Sequence, residues 1–147
     1  MTPATCERTL VVLLRVTAAV MISAIVPAVM PLSWMDATHR WLGMGPLPRG
    51  PVVEYLARTL SAFYAFHGAL LWIFAGDVGR YRPALRFMFG AALVFGAGVL
   101  LVDARAGLPL RWILAEGPFV MALSAAALRL LSRLPAEKAD DQAPRSR

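Results

Sequence analysis

Charged side chains stand inside the apolar stretches of this sequence, where hydrocarbon-facing residues would be expected. Glu54 and Arg58 lie in the run VVEYLARTLSAFYAFHGALLW, Asp103 closes the next apolar run, and Glu116 lies in the last one. A lone charge in hydrocarbon costs about 2.5 to 3.5 kcal/mol on insertion scales. These residues are therefore expected to partner one another, and an excess of carboxylates around one base is also typical of a binding site.

Matched depth predicts an ion pair between Arg58 and Glu116. Each lies about six residues, or about 9 Å, inside the start of its apolar block. Glu54 precedes Arg58 by four residues, the order that favours an acid and a base on one helix face. Asp103 could join them. We therefore expect a polar cluster of Glu54, Arg58, Asp103 and Glu116, which is either a packing clamp or a site for a substrate, an ion or a lipid headgroup.

Tyr64 and His67 form a secondary candidate site. His67 follows Arg58 by nine residues, half a helical circumference away, so it does not share that face. We interpret it as a core histidine whose ring is hydrogen-bonded to a backbone carbonyl or a tyrosine hydroxyl. Proton relay and headgroup binding are the alternatives.

Motifs for cofactor or metal chemistry are missing from the sequence. It has no phosphate loop, paired cysteines, HExxH or nucleophile elbow. Two histidines and one cysteine are too few for a standard zinc site, and haem ligation by His67 would need a second ligand. No cofactor and no metal are predicted, and the catalytic residues of any enzyme are unknown.

The composition is that of a membrane protein. Of 147 residues, 59% are hydrophobic and 16% are charged, and the mean hydropathy is +0.61. The apolar residues form four blocks of about the length that a helix needs to cross a bilayer. We predict an all-α membrane protein, a four-transmembrane-helix bundle in residues 1–134 with helices at about 10–32, 52–75, 85–102 and 110–131. A disordered polar cytoplasmic tail is expected at 135–147.

The first loop, from Ser33 to Pro51, is too short and too polar to cross the membrane. Its residues Trp34, Thr38, Trp41 and Leu42 follow helical spacing. A short amphipathic interfacial helix is therefore expected there, with its indoles at headgroup depth.

The basic residues predict the orientation. With four crossings, one side holds Arg8, Arg80, Arg82, Arg86, Arg129, Arg133, Lys138, Arg145 and Arg147. The other side holds Arg40, Arg49, Arg105 and Arg111. The positive-inside rule then places both termini in the cytoplasm of a multi-pass inner (plasma) membrane protein. The net charge of +6 comes mainly from basic residues at the ends of the apolar blocks, so nucleic-acid binding is not predicted.

Prolines, glycines and one further arginine predict local features. Pro27 and Pro31 should kink or end the first helix, and Pro118 should bend the fourth beside Glu116. The run GAALVFGAG should let another backbone approach the third helix closely. Arg15 is expected to extend to the headgroups or to reach Asp77.

Several stretches resemble a known group of proteins. They are EYLARTLSAFYAFHGALLW, the D-x-x-R-Y-x-P turn, a third block closing on Asp103 and Gly-Leu-Pro, and W-x-x-x-E-G-P. Over about residues 41–131 the chain is similar to uncharacterised small bacterial four-helix integral membrane proteins, themselves loosely DoxX-like. The resemblance implies an inner-membrane bundle. Some DoxX-like proteins have oxidoreductase or quinone-linked roles, but this sequence has no cysteine pair or cofactor motif for them.

Three function classes follow from these observations. The first is an accessory or assembly component of the membrane, with lipids and a homo-oligomer or membrane-protein partner as its contacts. The second is a small transporter or lipid-binding protein that uses the outward charge cluster. The third is a membrane enzyme that acts on a hydrophobic substrate.

Overall fold

The computed structural model describes residues 2–135 as seven helices joined by short turns. They are α1 Pro3–Ile22, α2 Ile25–Val29, α3 Leu32–Trp41, α4 Pro51–Phe74, α5 Arg82–Ala106, α6 Leu110–Ala115 and α7 Gly117–Ser132. The predicted all-α class is confirmed for this part of the chain. Nearly all of the predicted tail lies outside the described residues.

Three helical units are long and apolar enough to cross a membrane. They are Pro3–Val29, Arg82–Ala106 and Leu110–Ser132, the first and last of which each combine two consecutive helices. These units indicate a membrane protein. Helix α4 is not among them, although its 24 residues would extend about 36 Å. Its polar residues Glu54, Arg58 and His67 lower its hydropathy.

Prolines account for the breaks in the first and last units. The first unit turns at Ser23 and Ala24, just before Pro27, and α2 ends at Val29. In the last unit Glu116 has φ −101° and ψ −81°, outside the helical region, and Pro118 follows in the first turn of α7. Pro118 has no amide hydrogen to donate to the carbonyl of Leu114. The helix is therefore interrupted at Glu116, where the sequence predicts a bend.

The helices form two tightly packed antiparallel pairs. In the first, α1 and α2 pack along α4, and a Cβ added to Gly68 would lie 2.8 Å from the carbonyl oxygen of Ala18. In the second, α5 packs along α7, and a Cβ on Gly96 would lie 2.9 Å from the Gly117 carbonyl oxygen. Only residues without a side chain permit such backbone approach. Of the predicted small-residue run, Gly96 makes this contact, whereas Gly98 faces open space.

The two pairs meet through an apolar core at one end of the bundle. This core consists of Leu10, Leu14, Ala18, Leu71, Ala75, Val78, Leu85, Phe89, Ala127 and Leu131. They come from the beginning of α1, the end of α4 and its following turn, the beginning of α5 and the end of α7. We call this the closed end. Arg82 fastens it by donating to the carbonyl oxygens of Leu131 at 2.8 Å and Leu134 at 2.7 Å, and also to that of Pro135.

The opposite end, which we call the open end, carries α2, α3, α6 and the loop after α3. Asp36 accepts from the Leu47 amide at 2.7 Å and from Arg40 Nε at 2.9 Å, and His39 Nδ1 lies 2.8 Å from the Gly45 carbonyl oxygen. The Arg111 guanidinium lies against Gly43. These contacts fold the loop back on α3 and connect it to α6.

The glycine contact of the second pair predicts opposite effects for two neighbouring substitutions. Gly96→Ala places a methyl group 2.7 Å from Met121 Cγ and 2.9 Å from the Gly117 carbonyl oxygen, and should destabilise the protein. Gly98→Ala meets nothing within 4 Å and should stabilise α5 by up to about 1 kcal/mol. Unfolding in detergent measures both. Equal effects would contradict the assigned packing face.

The contacts of Asp36 predict that the folding of the loop after α3 depends on pH. The Leu47 amide and the Arg40 guanidinium hold the pKa of Asp36 below its usual value of 3.8. Because the pKa is lowered on folding, this stabilisation is present above pH 3.8 and is lost as the pH falls through the folded pKa.

The protection of the Leu47 amide against hydrogen exchange, measured by NMR in micelles, reports this contact. Asp36→Ala should abolish both the protection and its pH dependence. Asp77→Ala is the matched control, because the Asp77 carboxylate accepts from a different turn amide, that of Arg80, at 3.0 Å. Unchanged protection in Asp36→Ala would contradict the role of Asp36.

Candidate functional site

Arg58 is bound within the first helix pair. Its Nε donates to Glu54 Oε1 at 2.9 Å and its Nη1 donates to the Ala28 carbonyl oxygen at 3.0 Å. The predicted ion pair of Arg58 with Glu116 is wrong: the ion pairs among residues 2–135 are Arg58 with Glu54 and Arg40 with Asp36. Equal depth of Arg58 and Glu116 in their apolar blocks did not predict the partner, because Glu54 on the same helix and the Ala28 carbonyl are within reach of the guanidinium.

The Ala28 carbonyl is available because the chain leaves the helix there. Carbonyls in the last turn of a helix have no amide partner within it, and Pro31 contributes no amide hydrogen. A cation at a helix carboxyl end is also electrostatically favourable. Arg58 therefore satisfies a backbone acceptor and ties α4 to the end of α2.

Asp103 and Glu116 form a second polar group, on the other helix pair. Asp103 is only 7% exposed, and its Oδ2 has no hydrogen-bond partner in residues 2–135. Glu116 is half-buried, lies within electrostatic range of Asp103, and has the Trp112 indole beside its carboxyl. Tyr64 of α4 lies within range of both carboxyls. The structure thus divides the predicted four-residue cluster into the ion pair of Glu54 with Arg58 and a second group in which Asp103 Oδ2 has no partner among the described residues.

Helix register explains how Asp103 reaches this position. Residues 96, 100 and 103 share one face of α5 because they follow the spacing of successive turns. Gly96 and Leu100 both contact Gly117 at the start of α7. Asp103 lies one turn further along this face, toward α6 and the helix break. The carboxylate is therefore held at the junction of α5, α6 and α7.

The remaining candidates have simpler surroundings. His67 is half-buried, and no hydrogen bond to its ring is found among residues 2–135, so the predicted bond is not formed there. The Arg15 guanidinium lies 4.4 Å from the centre of the Trp72 ring, a cation–π contact rather than a contact with Asp77, which was one of the two alternatives that the sequence left open. Neither residue joins the two polar groups.

Sequence reasoning missed Asp36 and the groove beside it. An open groove of about 650 Å³ at the open end is lined in part by Asp36, Arg49 and Glu54. The signal was present in the sequence, because an acid four residues before Arg40 in a helix followed by a Gly-Pro-rich loop is typical of a loop anchor.

The side chains of Asp103 and Glu116 offer carboxyl oxygens, which accept hydrogen bonds or act as metal ligands. Among residues 2–135 no group of three or more histidine, cysteine, aspartate or glutamate side chains could share one metal ion. The Oδ2 of Asp103 is the buried acceptor in this part of the site that has no donor among the described residues.

We compared the chain with protein-family models, with curated proteins and with solved structures, and none matches. The fold and the site geometry therefore carry the argument on function.

The partners of Arg58 predict the outcome of a charge swap. Arg58→Leu should cost about 1 to 3 kcal/mol, because Glu54 and the Ala28 carbonyl lose their donor. Arg58→Glu combined with Glu116→Arg should be no more stable than Arg58→Glu alone. Unfolding in detergent tests this, with Glu116→Arg as the second single variant. Recovery of stability in the double swap would reinstate the Arg58 and Glu116 pair.

Proposed function

We propose that this chain is a small multi-pass protein of the bacterial inner membrane that binds a ligand from the outer side, as a transporter or a binding protein does. It crosses the membrane four times, with both termini in the cytoplasm. Its site is the polar half of the bundle, between the two helix pairs. A place among DoxX-like proteins is a further expectation from the resemblance, and the proposal does not depend on it.

Helix α4 supplies the fourth crossing in this proposal. It is long enough to span, it runs antiparallel to the first unit, and Arg58 has two partners that reduce the cost of burying its charge. Helix α3 then lies at the outer interface. Its Trp34 and Trp41 are 64% and 80% exposed, and indoles favour headgroup depth.

The distribution of buried residues carries the proposal. The apolar core that the two pairs share lies at the closed end, whereas Tyr64, Asp103 and Glu116 lie toward the open end. A protein that served only as packing would gain by filling both ends with apolar side chains, because an unpartnered buried carboxylate is costly. The basic residues orient the open end outward. A polar region that faces outward is suited to receive a ligand.

An accessory or assembly role is the second candidate. The observation in its favour concerns Arg58. Its hydrogen bonds to Glu54 and to the Ala28 carbonyl hold α4 against the end of α2, so its guanidinium is used for packing. In that case the polar half is shielded from water. Water access to Tyr64 therefore distinguishes the two functions.

Cysteine labelling measures this access. The chain has a single cysteine, the buried Cys6, so Cys6→Ala provides a cysteine-free background. Tyr64→Cys in this background should react with a membrane-impermeant maleimide added to intact spheroplasts. Leu71→Cys is the matched control, because it lies two turns away on the same face of α4 and is 2% exposed in the core. It should react only after denaturation.

Failure of Tyr64→Cys to react would contradict ligand binding from the outer side and favour the accessory role. Gly45→Cys in the loop after α3 should react from outside, whereas Gly79→Cys in the turn after α4 should be protected until the membrane is opened. The reverse pattern would overturn the orientation.

A further inference from the structure

We propose that the groove between α3 and the start of α4 binds the phosphoethanolamine headgroup of a membrane phospholipid. Arg49 binds the phosphate, and Glu54 binds the ammonium group. The inference goes beyond the proposed function, because the groove belongs to α3, the loop after it and α4, and its lining does not include Tyr64, Asp103 or Glu116.

The groove is shaped by hydrogen bonds within the protein. Its volume is about 650 Å³, and its walls come from α3, from residues 47–50 of the loop and from the first turn of α4. The Leu47 amide donates to Asp36 Oδ1 at 2.7 Å, which holds the loop wall against α3. Arg40 Nε donates to the other oxygen of Asp36 at 2.9 Å. Both oxygens of Asp36 therefore have a donor, and this carboxylate serves to shape the groove.

Two other charged side chains of the groove are accessible to a ligand. Arg49 is exposed and forms no ion pair among residues 2–135, although it lies close enough for its charge to lower the pKa of Asp36. The side chain of Glu54 is 40% exposed, and its bond with Arg58 uses Oε1 and not Oε2. The groove thus offers one guanidinium donor and one carboxylate acceptor. A ligand with one negative and one positive group complements both.

The chemistry of these two side chains selects the headgroup. A guanidinium binds phosphate oxygens through paired N–H donors. A primary ammonium has three N–H donors for a carboxylate, whereas the trimethylammonium group of choline has none and is favoured by aromatic cages. Among the described residues, none that lines the groove is aromatic. Ethanolamine therefore fits this groove better than choline.

An anionic headgroup fits the groove less well than a zwitterionic one. Phosphoglycerol, for example, has a phosphate for Arg49 but no cation for Glu54, so its negative charge would lie in the same groove as that of the carboxylate. Phosphoethanolamine supplies a partner of opposite charge to each side chain.

The surroundings of the groove favour a lipid over a soluble molecule with the same headgroup. Leu32, Leu47 and Pro48 line it beside the charged side chains, and they provide apolar contact for the glycerol and the first acyl carbons. Helix α3 also carries the exposed Trp34 and Trp41. Indoles prefer the headgroup region of a bilayer, and the inference takes this position of α3 from the proposed function.

Native mass spectrometry of the full-length protein, titrated with phospholipids in detergent, tests the inference. Phosphatidylethanolamine should bind about fivefold or more tightly than phosphatidylcholine or phosphatidylglycerol with the same acyl chains, because it alone supplies both charged partners. Glycerophosphoethanolamine, which has the headgroup without acyl chains, should bind more weakly than the lipid.

Substitutions at the two charged positions should separate their roles. Arg49→Gln should weaken phosphatidylethanolamine binding by about fivefold or more, because it removes the donor to the phosphate. Glu54→Gln should weaken phosphatidylethanolamine binding more than phosphatidylcholine binding, since a primary ammonium binds a carboxylate more strongly than a neutral amide. If Glu54→Gln does not fold, the exposed Arg49→Gln and the wild-type titrations still decide the question.

Arg105→Gln is the matched control. Arg105 is an exposed arginine in the last turn of α5, at the same end of the bundle, and it does not line the groove. This variant should bind all three lipids as the wild type does.

Four results would overturn the inference: equal binding of the three lipids by the wild type, tighter binding of phosphatidylglycerol, equal weakening in Arg49→Gln and Arg105→Gln, or binding of glycerophosphoethanolamine as tight as that of the lipid. Binding in detergent does not depend on the orientation of the protein or on water access to Tyr64. Either proposal can therefore fail while the other stands.

Discussion

Backbone contact at three glycines sets the spacing within the two helix pairs, and the rest of the structure follows from it. Gly68 lets α4 approach the backbone of α1, and Gly96 with Gly117 lets α5 approach α7. In a membrane, where burial from water does not drive helices together, such close packing is the main source of association. The two pairs are thereby closely packed units, and the way they meet decides what lies between them.

The pairs share an apolar core at the closed end. Toward the open end, the last unit is interrupted at Glu116, and α5 carries the buried Asp103. Arg58 stays with its own pair and does not cross to neutralise them. Charge inside the bundle is therefore balanced locally: Arg58 is satisfied within its own helix pair, whereas the buried Asp103 Oδ2 has no partner among the described residues.

The all-helical class and the positions of the helix breaks were predictable from the sequence, because block length and proline positions act locally. The break at Glu116 followed from Pro118, and the end of α2 followed from Pro27 and Pro31. The site was predictable only as a set of residues. Which acid pairs with Arg58 depends on side-chain reach and on a free carbonyl at Ala28, and neither is visible in hydropathy. Likewise, Gly96 and Gly98 look alike in the sequence, and only the rotation of α5 separates them.

Hydrogen–deuterium exchange of the protein in lipid nanodiscs tests the central claim that the bundle is closed at one end and polar and wet at the other. The account predicts that peptides covering the core segments of α1, α4, α5 and α7 at the closed end stay protected. Peptides around Tyr64, Asp103 and Glu116 should exchange measurably faster, although they lie within the same helical units. Uniform protection along α4 and α5 would contradict it, because the two pairs would then be sealed along their whole length.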